Sequence, residues 1–171
     1  MDYSFSSPIT AAKELIQRCD IRSAPVNIEA ICTQEGIRIF PFDMHELEAI
    51  AKKPISGAIQ KHPKWGYTIL VNEADIAVRQ RFTIAHELGH YFLHMNKNVN
   101  ENKIITSFRM DSSPIERQAD TFAVNLLMPE NLVREEHEHM VIPVSDSLAK
   151  IFNVSKQTMR IRLEELELMY V

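Results

Sequence analysis

The stretch "FTIAHELGHYFLH", residues 82–94, constrains the fold more than any other feature, because it reads as one helix with two very different sides. Ile84, Ala85, Leu88 and Phe92 recur at helical spacing and call for burial. His86, Glu87 and His90 occupy the remaining surface. Four residues of helix turn the chain by about 400° and lift it about 6 Å, so His86 and His90 project from one face, only about 40° apart. Both imidazoles can therefore reach one ion. Glu87, about 100° round from His86, lies beside the pair rather than within it, which suits a general base acting on a metal-bound water. A buried cluster of two imidazoles and a carboxylate is costly without a partner, and a metal in a cleft removes that cost.

His86-Glu87-Leu88-Gly89-His90 matches the HExxH pattern, which a shuffled chain of this composition contains with a probability of roughly 3%, so a second ligand-bearing segment must decide. "SSPIERQADTFAVNLLMP" supplies one. Its helix is expected to open at Ser113-Pro114 and end near Leu127, with Ile115, Ala119, Phe122, Leu126 and Leu127 as an apolar stripe. Glu116 and Asp120 sit one turn apart along the stripe's edge. Glu116 is placed to be the third ligand, leaving a fourth position for water, as an open catalytic zinc requires. Asp120 can accept the ring N–H of a ligating histidine and fix its tautomer. A competing role exists for Glu116, because Ser113 to Glu116 is also a capping-box pattern. His94 continues the i, i+4 series but lies about 12 Å along the axis from His86, whereas donors to one tetrahedral zinc lie about 3–4 Å apart. It is assigned to the cleft wall or to a backbone hydrogen bond. Zinc is the first expectation, and ligand type alone leaves manganese or another divalent ion open.

The rest of the chain reads as one compact domain, 1–171, of the α+β class. Residues 1–50 hold two helices and a short strand, with Gly36 closing the second helix before a strand over 37–40. Residues 51–130 carry a hairpin, "ISGAIQ" and "GYTILVN" joined by "KHPKWG", then a long helix from near Asp75 to about Met95, a polar loop over 96–103 and the Glu116 helix. Residues 131–171 end in two helices around a turn near Asn153. No apolar run approaches the roughly 18 residues of a spanning helix, and "MDYSFSSPIT" lacks the pattern of a signal peptide, so a cytoplasmic protein without membrane contact is expected. Cys19 and Cys32 imply no disulfide framework and read as small core residues. A net charge of -4 argues against a general electrostatic grip on nucleic acid.

With "RQRFTIAHELGHYFLH" and "ERQADTFAVNLLMP" in view, the chain resembles the ImmA/IrrE family of metallopeptidases over roughly residues 10 to 165. "SGAIQ" and "TILVN" are similar to that family's hairpin before the active-site helix. The resemblance implies a minimal thermolysin-like (gluzincin) core: a small twisted sheet, the HExxH helix, then the helix bearing the glutamate. It further implies His86, His90 and Glu116 as zinc ligands, Glu87 as the base and Asp120 as the support of a ligand, His86 for choice. Family members cleave a partner helix-turn-helix repressor, so such a protein is the implied substrate. Tyr67, His94 and Tyr91 are candidates for the oxyanion donor, Tyr91 the weakest because it points about 140° from His86. A strand of the hairpin is a candidate edge for an extended peptide, or it packs for stability alone.

Two other functions compete. "SLAKIFNVSKQTMRIRLEEL" resembles half of a helix-turn-helix, with Lys156, Arg160 and Arg162 after the turn, so a DNA-binding regulator is one rival. Glu164, Glu165 and Glu167 on the same helix argue for packing or docking instead. The other rival is a zinc module that binds a repressor or toxin without cutting it. "REEHEHM", with His137 and His139, reads as a solvated polar loop.

Overall fold

The computed structural model describes residues 7–62, 64–95, 113–140 and 144–169; the polar loop expected over 96–103 lies outside them. The described elements run α1 (Pro8–Arg18), α2 (Ile28–Gln34), β1 (Arg38–Phe42), α3 (His45–Ala51), β2 (Gly57–His62), β3 (Gly66–Asn72), α4 (Ala77–His90), α5 (Pro114–Leu127), α6 (Glu130–Glu138), α7 (Ser145–Phe152) and α8 (Lys156–Glu165). This is the α+β class that the sequence implies, mostly helical around one small sheet. Among the described residues no helix is long and apolar enough to cross a membrane.

Local sequence explains where the helices start. Ser7 Oγ accepts the Thr10 N–H at 3.1 Å with Pro8 following it, and Ser113 Oγ accepts the Glu116 N–H at 3.2 Å ahead of Pro114. Ser155 caps α8 in the same way, through the Thr158 N–H at 3.0 Å, after Asn153 has turned the chain in the left-handed conformation. The long helix over 75–95 is realised as α4 and a π-helical turn over Tyr91–Met95.

The sheet order is β1-β3-β2, with β1 parallel and β2 antiparallel to the central β3. Strand β2 is thus an edge among the described residues. Ile59 and Ile69 are paired across β2 and β3, and with Val71 they bury one face of the sheet. Helix α4 packs against that sheet and against α5, while α1 packs on α5. Two glycines allow the close approaches. A Cβ on Gly57 would fall 2.3 Å from Thr83 Cγ2 and 2.7 Å from the Leu70 carbonyl oxygen; one on Gly89 would fall 3.0 Å from Ala119 Cα. Hence β2 and α5 both press directly on α4.

Several expectations need correction. Residues 134–140 are not a solvated loop: most belong to α6, whose Leu132, Val133 and His137 are buried, and the His137 ring donates from Nε2 to the Leu168 carbonyl at 3.1 Å. The charged composition hides that narrow buried stripe. Helix α3 is absent from the sequence reading because it is short and buries none of its own residues. Ile115 is half exposed, and the stripe of α5 turns instead through Ala119, Phe122, Ala123, Leu126 and Leu127.

Candidate metal centre

Helix α4 delivers His86 and His90 from successive turns, and the first turn of α5 delivers Glu116. His86 Nε2 lies 3.0 Å from His90 Nε2 and 3.1 Å from Glu116 Oε2, while His90 Nε2 lies 3.3 Å from Glu116 Oε1. Among the described residues, these three form the group of side chains able to hold a metal ion. All are buried. A carboxylate only accepts, and the two facing imidazole nitrogens present lone pairs unless protonated, so the cluster calls for a positive charge at its centre. Tetrahedral arms of 2.0–2.1 Å place donors roughly 3.3 Å apart, close to the separations found. The donor set and its spacing fit a zinc-sized cation.

Electrostatics favour the neutral ring at His90. Burial, with the neighbouring His86 and His94, holds His90 down at about 3, so its ring is neutral near pH 7. His86 Nδ1 lies 2.8 Å from Asp120 Oδ1. An N–H at Nδ1 donates to that carboxylate and leaves the Nε2 lone pair directed at the cluster. We therefore expect Asp120→Asn, which keeps the shape but not the charge, to lower metal affinity about 10–100-fold in competition with a chromophoric chelator. Unchanged affinity would leave Asp120 a surface residue only.

The Glu116 capping question has a mixed answer. Ser113 contributes its half of the box, but both carboxylate oxygens of Glu116 face the imidazoles. That reach depends on the contact at Gly89. In a helix interior alanine is favoured over glycine by about 1 kcal/mol, whereas overpacking costs about 1–3 kcal/mol. The atoms met by the new methyl are the Ala119 backbone and Phe122 Cδ1, and backbone cannot rotate away. Overpacking wins, so Gly89→Ala should lose about 1 kcal/mol in chemical denaturation and bind metal less tightly. A gain in stability would contradict the close approach.

Glu87 is buried next to the cluster and lines a small cleft with Ser56, Gly57, Phe82, Thr83 and His86. The start of the edge strand β2 therefore faces Glu87. Ser56 and Gly57 escaped the sequence reading, since neither periodicity nor motif marks which loop end meets the helix; Thr83 was missed although its place one turn before Glu87 on α4 could have found it. His94 stands in the π-helical turn with its ring centroid 5.7 Å from that of His90, outside the three-residue cluster. Tyr67 packs edge-on against Tyr91, centroids 4.8 Å apart, and burial raises its phenol above the usual range, keeping the O–H available to donate.

The basic residues of the helix-turn-helix-like segment are engaged elsewhere. Lys156 pairs with Asp146 and Arg160 with Glu164. Arg162 is buried, donating to the Met128 carbonyl at 3.2 Å and to Asn125 Oδ1 at 3.0 Å, so it fastens α8 to the end of α5.

Known proteins share this arrangement of segments. The family model described as the IrrE N-terminal-like domain matches residues 32–164. Metallopeptidase ImmA of Bacillus subtilis (strain 168) is 28% identical over 128 residues, covering 75% of this chain and 69% of that protein. The uncharacterized immunity region protein 2 of Bacillus phage phi105 is 30% identical over 128 residues, covering 75% of each chain. In fold, the chain is similar to a Mycobacterium tuberculosis transcriptional regulator, with a TM-score of 0.58 at 17% identity. That likeness covers 92% of this chain but only 46% of the larger one, and it speaks for the fold alone. Because the family match runs from Cys32 in α2 to Glu164 in α8, through His86, Glu87, His90 and Glu116, the chain belongs to the ImmA/IrrE family of metallopeptidases.

Proposed function

We propose that the protein is a zinc-dependent endopeptidase that acts in the cytoplasm on a helix-turn-helix transcriptional repressor. The observation that carries this reading is the convergence of two imidazole nitrogens and a carboxylate within 3.0–3.3 Å beside a buried glutamate. His86, His90 and Glu116 would hold the ion. A bound zinc supplies Lewis acidity, bringing the pKa of a water toward 7 and polarising the scissile carbonyl.

The protein's own groups do the rest. Glu87 takes the proton of the attacking water as the new C–O bond forms. It then gives that proton to the leaving amine as the C–N bond breaks. Asp120 keeps the His86 ring in one orientation through Nδ1. Tyr67 and His94 are the candidates for a donor to the carbonyl oxygen as charge builds there. The edge of β2 that pairs with no strand among the described residues begins in the cleft and would offer backbone groups to a substrate laid down as an added strand. A repressor substrate is what the family resemblance implies, and relatives named for a phage immunity region and for metallopeptidase activity are in keeping with it.

Incubating the zinc-loaded protein with any helix-turn-helix repressor encoded by an adjacent gene should give discrete fragments by mass spectrometry. A chelator should abolish them and added zinc restore them. An intact repressor would remove that substrate, and cutting that survives the chelator would remove the metal.

A further inference from the structure

We propose that the groove between the start of α4 and the α7–α8 turn is a substrate subsite that takes an apolar side chain beyond the cut and so sets sequence preference. This rests on the peptidase reading above. The groove encloses about 590 Å³, within the roughly 300–1,000 Å³ of ordinary ligand pockets. Its opposite walls carry two large apolar side chains left in water, Ile76 at 70% exposure and Ile161 at 46%. Arg162, next in sequence to Ile161, anchors that wall to α5.

Continuity with the cleft identifies the occupant. Phe82 and Thr83 line both the groove and the cleft that contains His86 and Glu87. A polypeptide lying across Glu87 therefore meets the groove without leaving the surface. Charge does not select the occupant, because Asp75 and Arg79 lie 3.8 Å apart in the groove and offset each other. Ser155, Gln157 and Thr158 also line it, but the side chains that gain most from being covered are Ile76 and Ile161, which favours Leu, Ile, Met or Phe.

Helix geometry fixes the position. Arg79 lies about 12 Å, and Ile76 about 16 Å, along α4 from Glu87, and an extended chain advances about 3.3 Å per residue, so the filled site is roughly three to five residues from the cut. Direction follows from strand pairing. Antiparallel addition to β2 is slightly the more stable, and such a strand runs from the His62 end toward Gly57. It leaves past Ser56, whose carbonyl accepts the Asn72 N–H at 2.8 Å, toward the turn that opens the groove. The subsite thus belongs to the C-terminal side of the scissile bond.

A random peptide library and the full zinc-loaded chain test this. Cuts by the parent should show Leu, Ile, Met or Phe enriched at that position. Ile161→Glu and Ile76→Glu, both surface changes that spare the core, should reduce the enrichment about tenfold or more, the discrimination an apolar pocket supplies. Peptides retained by Glu87→Gln protein are sequenced as well, which reads the groove before any cutting. If Glu87→Gln protein retains the same peptides with and without Ile161→Glu, none included, the groove proposal is overturned. A library left uncut by the zinc-loaded parent would overturn the peptidase reading instead.

Discussion

Replacing Glu87 by glutamine should lower kcat/KM by about 10²–10⁴-fold while zinc content stays at the parent level, because the change removes a proton acceptor and no ligand. The side chain is buried beside His86 in the cleft, and glutamine fills the same volume without a titrating oxygen. Substrate binding should persist, so the loss appears in kcat with KM little changed. Fragment yield from the repressor, read beside metal analysis of both proteins, checks it. Parent-level turnover in the variant would assign the proton transfer to another group, and a binding module without turnover would show no difference at all.

The second large effect is expected at Glu116→Gln. Glutamine keeps the backbone N–H that Ser113 accepts, so α5 still begins where it does. It also turns an acceptor-only group, 3.1 and 3.3 Å from two ring nitrogens, into one that can donate to them. The metal-free variant should therefore be at least as stable as the metal-free parent. Metal affinity should fall by more than the about 10–100-fold expected of a supporting residue, since an anionic ligand is lost. Zinc at a hundred times its Kd stabilises a parent protein by about 2.7 kcal/mol, and the variant should show almost none of that gain in a thermal melt. Equal zinc-induced stabilisation in the two would return Glu116 to a purely capping role.

Much of this architecture is legible in the sequence because its signals are local. Ser7-Pro8 and Ser113-Pro114 mark helix starts with a hydroxyl and a fixed φ, and Asn153 marks a left-handed turn. The spacing of His86, Glu87 and His90 specifies a shared helix face without any tertiary information. What is not legible depends on partners distant in the chain. That β1 runs parallel to β3 rather than joining the hairpin elsewhere is set by packing across the whole sheet. Thr83 stands one helical turn before Glu87, but the nearness of Ser56 to Glu87 depends on Gly57 meeting α4, which no periodicity encodes. Arg162 illustrates the same limit: the other charged residues of its helix, Lys156, Arg160, Glu164 and Glu165, are exposed, yet Asn125 and Met128 receive its donors inside the fold. For Glu116 the local pattern supports two roles, and only the approach of α5 to α4 turns its carboxylate toward the histidines.

The most direct measurement is anomalous diffraction at the zinc edge from crystals of the zinc-loaded protein. The expected result is a single peak about 2.0–2.2 Å from His86 Nε2, His90 Nε2 and one oxygen of Glu116, with Asp120 still on His86 Nδ1. A peak elsewhere, or one between the imidazoles with the Glu116 carboxylate turned back to Ser113, would contradict the account.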